Sequence, residues 1–294
     1  TLGTPISCIQ HPETGREVVY GTRKTASKRK KVLVAGGGPG GMKAAAVAAE
    51  RGHEVILCEA AAQLGGQALL AQALPGRAEF GGIVTNLTRE MELAGVTVRR
   101  NTAVDRALIE REAPDAVIVA TGARPAPVEI EGAEEAHLVE AWAVIKGEAN
   151  VGGRVAIADW RCDWIGLGLA EMLARNGCEV TLAVDGYMPG QTIQMYVRDH
   201  WAATLQKLGV KVIPYARLFG ADAESAYFQH ITSGEPIILD GIDTVVTALG
   251  HTSETGLIDA LEDWDGEMHM VGDCLAPRTA EEAVYDGLKI GCAI

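Results

Sequence analysis

Gly36, Gly38 and Gly41 stand in the spacing G-x-G-x-x-G, with Gly40 beside the last, and Glu59 follows Gly41 by 18 residues. These residue types at this spacing suit one chemistry, the binding of an adenosine diphosphate moiety. The first glycine permits a tight turn, the second lets backbone approach a pyrophosphate, and the third lets a helix pack close to a strand. Phosphates favour the positive end of the helix that follows, and an acid at the next strand end bonds ribose hydroxyls.

Such a site needs strand, turn, helix and strand in that order, and the flanking residues supply them. The apolar run 32–35 predicts a buried strand, and the alanine-rich 42–51 predicts a helix stopped by Gly52. A second strand is expected from 54 up to Glu59. Three later segments add candidates. In Gln-Leu-Gly-Gly-Gln, 63–67, Gly66 lets backbone near a ligand and Gln67 can donate to phosphate or ribose, or the segment is a plain loop. The strand over 116–120 ends in Thr121-Gly122. Near the far end, 268–271 leads into Gly272-Asp273 and a helix from about Thr279; Asp273 suits ribityl hydroxyls or a turn of the N-cap kind.

Between these lies a second βαβ pattern: a strand over 154–160, a helix over 165–175 stopped by Gly177, and a strand over 178–184. A helix marked by Val197, Trp201, Leu205 and Leu208, a hairpin near 227–231 and 236–239, and a strand over 244–248 follow. The expected fold class is therefore α/β, with two Rossmann-like dinucleotide-binding domains, the second inserted into the first. The expected boundaries are a linker over 1–30, a nucleotide domain over 31–139 and 243–294, and a second domain over 140–242.

Bulk properties narrow the function. At 294 residues there is room for about two domains, and 48% hydrophobic content supports a substantial core. The net charge of −13 argues against nucleic acid as the main partner. No apolar run reaches membrane-span length and no signal peptide opens the chain, so no membrane is expected as a partner. Six cysteines without CxxC spacing suit reduced thiols and a cytoplasmic setting. The chain starts without methionine and stops inside an expected helix, 280–294, which suggests a piece of a larger polypeptide.

Taken in order, these motifs resemble the flavoprotein reductases of the glutathione-reductase type. More narrowly, the chain resembles the C-terminal half of the trimethylamine dehydrogenase and 2,4-dienoyl-CoA reductase family, over nearly its whole length. Ile6-Ser7-Cys8-Ile9-Gln10-His11-Pro12 and Gly15-Arg16-Glu17 match that family's linker. The resemblance implies that Cys8 is the last ligand of a [4Fe-4S] cluster whose other cysteines lie outside this chain. It also implies an FMN-containing TIM barrel, as segment or subunit, that carries the substrate chemistry; no catalytic residue is expected here. FAD or ADP is the cofactor expected for Gly36, Gly38, Gly40, Gly41, Glu59, Gly66, Gln67, Thr121, Gly122, Gly272 and Asp273.

Two departures from the family pattern set the expected direction of electron flow. Aligning the second βαβ pattern by sequence puts Arg161, Asp163 and Gly166 at the fingerprint positions, with two of three glycines gone. A carboxylate there competes for the helix end that a pyrophosphate needs. This sides with the branch that oxidises amines or N-methyl groups and passes electrons to an electron-transferring flavoprotein, in an oligomeric assembly. Second, Gln67-Ala68-Leu69 holds no redox cysteine pair, which argues against disulfide reduction. The alternatives are an NAD(P)H-dependent ene-reductase of the same family and a non-catalytic ADP-binding assembly module.

Overall fold

The computed structural model describes residues 6–294; Pro5 and the rest of the first five residues of the linker lie outside it. The chain forms two compact units. The first comprises the residues up to Leu69, Glu79–Arg124 and Thr252–Ile294; the second comprises Leu70–Ala78 and Pro125–His251.

In chain order the elements open with α1 (Glu17–Tyr20), β1 (Lys31–Ala35), α2 (Pro39–Glu50), β2 (Glu54–Cys58) and α3 (Gln67–Ala73). A short 3-10 turn at Ala78–Phe80 precedes α4 (Gly81–Ala94), β3 (Thr97–Arg99), α5 (Arg106–Glu112), β4 (Ala116–Val119) and the short β5 (Ala123–Pro125). Next come β6 (Leu138–Glu140), α6 (Ala141–Lys146), β7 (Arg154–Asp159), α7 (Trp164–Arg175), β8 (Glu179–Val184), α8 (Met195–Lys207) and β9 (Lys211–Ile213). The strands β10 (Ala216–Ala221), β11 (Ser225–His230), β12 (Pro236–Asp240), β13 (Thr244–Ala248) and β14 (His251–Ser253) lead to α9 (Gly256–Asp259), β15 (Glu267–Met270) and α10 (Ala280–Ala293).

The first unit is built on a five-stranded parallel sheet of order β15-β4-β1-β2-β3. Val32–Ala35 and all of β4 are buried because both faces of a parallel sheet are covered by helices. α2 begins at Pro39 rather than Met42, since proline at the first helical position costs no hydrogen bond. Ala44, Ala45, Ala46 and Ala48 are fully buried, and α10 lies close along it. A Cβ at Gly287 would meet the Gly40 carbonyl, and one at Gly291 would come within 2.7 Å of Val47 Cβ. Among the linker residues, Ile9 packs on this unit's core.

The second unit holds another five-stranded parallel sheet, order β6-β13-β7-β8-β9, and an antiparallel sheet β10-β11-β12. The expected hairpin is thus the outer part of a three-stranded sheet. Pairing of Arg154 with Glu179 in β7 and β8 matches pairing of Lys31 with Glu54 in β1 and β2, so the two parallel sheets can be compared residue for residue. Among the described residues no helix is long and apolar enough to cross a membrane.

Candidate functional site

The structure brings the predicted residues of the first unit to the C-terminal edge of its sheet, where β1 has neighbours on both sides. This is the switch point at which open α/β sheets bind ligands. Each fingerprint glycine has a distinct steric setting. Gly36 has φ +119° and a Cβ there would overlap the Ala120 carbonyl oxygen. A Cβ on Gly41 would overlap the Gly36 carbonyl oxygen and lie 2.9 Å from Ala120 Cβ. Around Gly38, by contrast, a Cβ would find nothing within 4 Å. The outer two glycines are needed by the protein itself, whereas the middle one borders open space.

Gly38 is also the N-cap of α2, with extended backbone and no side chain capping the helix. The first-turn amides of a helix have no partner within it, and here no side chain caps them, so they can donate to an anion. Glu59 is held in place by two amides: Gly37 N–H donates to Oε2 at 2.7 Å and Ala61 N–H donates to Oε1 at 2.7 Å. Each carboxylate oxygen keeps a lone pair for a further donor such as a ribose hydroxyl. The Gln63–Gln67 segment closes the other side. Gly65 N–H donates to the Gly37 carbonyl at 2.8 Å, and a Cβ on Gly66 would lie 3.2 Å from Gly38 Cα. Open space at Gly38, an uncapped helix end and an oriented carboxylate suit a pyrophosphate and a ribose.

Of the remaining predicted residues, Gln67 and Asp273 are joined to each other. Gln67 Nε2 donates to Asp273 Oδ2 at 2.8 Å, and Gln67 opens α3 instead of lying in a loop. The Thr121 hydroxyl donates to the Glu254 carbonyl at 2.6 Å, and Gly122 turns the chain with φ +79°. Gly272, φ +70°, starts a 3-10 turn that carries Asp273 ahead of α10. Sequence reasoning missed three supports of this group. Gly37 orients Glu59, Arg278 N–H donates to Asp273 Oδ1 at 3.1 Å, and the Ser253 hydroxyl donates to the Asp273 carbonyl at 2.7 Å. Only the glycines spaced four apart in α10, Gly287 and Gly291, left a readable trace of close helix packing in the sequence.

Cys8 is half-buried and unpaired with any other cysteine. Among the described residues no three His, Cys, Asp or Glu side chains come together as a metal site. Among the described residues Cys8 is therefore not part of a full metal-ligand set.

The turn after β7 is filled by its own side chains. Sheet register puts Asp159, not Arg161, at the place of Gly36, and seven residues rather than five separate it from Gly166. The Asp159 side chain is fully buried. Its Oδ1 accepts from Arg161 N–H at 3.1 Å and from Cys162 N–H at 2.8 Å. Its Oδ2 has no hydrogen-bond partner and lies against Gly166, where a Cβ would overlap it. Burial, then the nearby Asp163 charge, push the Asp159 carboxyl up to about 7, while the two amides pull it down. Burial and the Asp159 charge raise the Cys162 thiol to about 11, so it stays protonated. Cys162 itself sits at φ +51°. Asp163 caps α7, accepting from Ile165 N–H at 2.9 Å, and Arg161 pairs with it at 2.6 Å. Beside this turn a cleft is lined by Trp142, Arg161, Thr247 and His251. Across it, Trp142 Nε1 donates to His251 Nε2 at 3.2 Å.

Comparison with known proteins agrees with this architecture. The family model described as "Pyridine nucleotide-disulphide oxidoreductase" matches residues 30–287. An N,N-dimethylglycine/sarcosine dehydrogenase of Chromohalobacter salexigens is 31% identical, over 98% of this chain and 48% of that protein. A NADH oxidase of Thermoanaerobacter brockii is 40% identical, over 98% of this chain and 44% of its own length. The structure of 6-hydroxypseudooxynicotine amine oxidase from Pseudomonas geniculata N1 superposes with a TM-score of 0.90 at 26% identity, covering 98% of this chain and 46% of that one. The chain spans about half the length of the curated relatives it matches.

Proposed function

Since the chain belongs to the pyridine nucleotide-disulphide oxidoreductase family, we propose that it is the nucleotide-binding half of an FMN- and [4Fe-4S]-dependent amine dehydrogenase or oxidative N-demethylase. It corresponds to the C-terminal half of the trimethylamine dehydrogenase and 2,4-dienoyl-CoA reductase enzymes. In this reading the first unit is a nucleotide domain and the second unit, which takes in β6 and β13 rather than running from 140 to 242, is a dinucleotide-type domain inserted into it. The substrate is oxidised in a barrel outside this chain, and electrons leave through a cluster that takes Cys8 as one ligand. An electron-transferring flavoprotein is the acceptor.

The observation that carries this reading is the contrast between the two turns: α2 begins at an uncapped glycine, whereas α7 begins at a capping aspartate. FAD or ADP would lie with its pyrophosphate at Gly36, Gly38, Gly40 and Gly41 and its adenosine ribose on Glu59. Gly66, Gln67, Thr121, Gly122, Gly272 and Asp273 would border it; if it is FAD, its flavin supplies electron relay. This chain's residues bind and orient, and the Gln67–Asp273 bond fixes the carboxylate that faces the site. After denaturing the purified chain, chromatography should release ADP or FAD at about one per chain. Release of neither removes the basis of the proposal.

One finding favours a second reading. The 40% identity to a NADH oxidase suits a reductase that takes electrons from NAD(P)H. Rapid bleaching of a bound flavin by NADH or NADPH would establish that reading and displace the dehydrogenase assignment.

A further inference from the structure

The turn after β7 has a feature that erosion of a fingerprint does not require. A glycine can be lost to any residue, yet here the replacement is a carboxylate, aimed inward and fully buried. It accepts from two consecutive amides of the turn, Arg161 and Cys162. In the first unit the corresponding turn belongs to a helix end that no side chain caps. In the second unit the next group along, Asp163, takes the first-turn amide of α7, and Arg161 neutralises it. Two carboxyl groups thus take backbone donors that would otherwise face a ligand's two phosphates. The two extra residues between Asp159 and Gly166 let the turn fold over the first of them.

We propose that Asp159 is an internal occupant of the second unit's phosphate turn, and that with Asp163 it holds the donors a dinucleotide pyrophosphate would need. The proposal rests on the reading above that this unit passes no nicotinamide dinucleotide, and it names the residues responsible. A carboxylate accepts amide hydrogen bonds as a phosphate oxygen does, so the turn keeps its backbone shape without a ligand. Loss of affinity for the dinucleotide and preservation of the fold then have the same cause.

The test uses the full chain with ADP saturating the first unit, and NADH as the probe, followed by fluorescence titration. The unaltered chain should show no saturable NADH binding. Asp159→Gly combined with Asp163→Gly should gain it, with affinity at least about tenfold above that of the unaltered chain. Asp159→Asn, which keeps the shape and the amide acceptor, should behave as the unaltered chain does. If the double variant retains ADP and its near-ultraviolet dichroism yet gains no NADH binding, the inference is overturned while the reading of the unit stands. Equal gain by Asp159→Asn also overturns it, since the amides would still be held. Saturable NADH binding by the unaltered chain overturns the reading itself. Should the double variant not fold, hydrogen exchange on the unaltered chain decides. The Arg161 and Cys162 amides should exchange slowly without ligand and be unmoved by millimolar inorganic pyrophosphate. Fast exchange there, or protection by pyrophosphate, overturns the inference.

Discussion

Three glycines of one motif do different work, and substitution should separate them. Gly38→Ala introduces a methyl into open space at an ordinary φ of −74°, so the nucleotide-free chain should keep its stability within about 0.5 kcal/mol. The same methyl stands where a pyrophosphate would lie, and ADP affinity measured by calorimetry should fall at least about tenfold. Gly41→Ala forces a methyl into the Gly36 carbonyl and should cost about 1–3 kcal/mol in denaturant unfolding even without nucleotide. If both variants lose stability alike, the distinction between packing glycine and ligand glycine is wrong. Glu59→Ala leaves the Gly37 and Ala61 amides without their acceptor and should weaken ADP binding by about 2 kcal/mol.

At the scale of elements, the two helices that follow β1 and β7 make a matched pair. α2 is apolar and uncapped, and α7 is capped by Asp163 above a buried Asp159. The raised Asp159 carboxyl links the second unit to pH. The folded state holds this proton up to about pH 7, whereas an unfolded aspartate releases it near 3.8, so folding binds a proton between those values. Stability should therefore be unpenalised below pH 4 and decline as pH rises through 7, by up to about 4 kcal/mol. Arg161, Asp163 and Cys162 lie beside this carboxyl and also carry charge or titrate. Asp159→Asn should flatten that slope in denaturant titrations at pH 5 and pH 8, and an unchanged slope would mean another group carries it. Further along, Glu171 on α7 accepts from Trp201 Nε1 on α8 at 2.7 Å, both buried. Trp201→Phe should cost about 1–3 kcal/mol by leaving that carboxylate oxygen without its donor.

For the whole molecule, nucleotide binding should be felt unevenly. ADP at a hundred times its dissociation constant stabilises the unit that binds it by about 2.7 kcal/mol. Hydrogen exchange should show this protection in β1, α2 and β2, and no matching protection in β7, α7 and β8. Protection of the second set to the same degree would place a dinucleotide site there as well. The relatives are about twice as long as this chain, so no amine is expected to be oxidised by the chain alone with an artificial electron acceptor. Turnover under those conditions would relocate the substrate chemistry into these residues.

Much of this was legible in the linear sequence because its causes are local. Spacing of Gly36, Gly38 and Gly41 constrains a turn of six residues, and the apolar runs beside it become strands wherever they are covered. Burial on both faces made 116–119 and 244–248 plain for the same reason. Elements with weak periodicity, such as α3, α5 and the strand β10, were not legible, since packing decides them rather than pattern. Gln67 and Asp273 were each nameable as polar groups near a cofactor, but their mutual bond spans 206 positions and no spacing rule reaches that far. The same holds for the second turn. From sequence, Arg161, Asp163 and Gly166 align with the fingerprint; sheet register instead places Asp159 at its first position, because strand pairing counts residues from the strand start and not from the glycine. Sequence alone determined that one nucleotide fingerprint is intact and another is not. Only the tertiary structure decided which amides stand open and which are already held, because an amide's partner is chosen by distance in space and by burial.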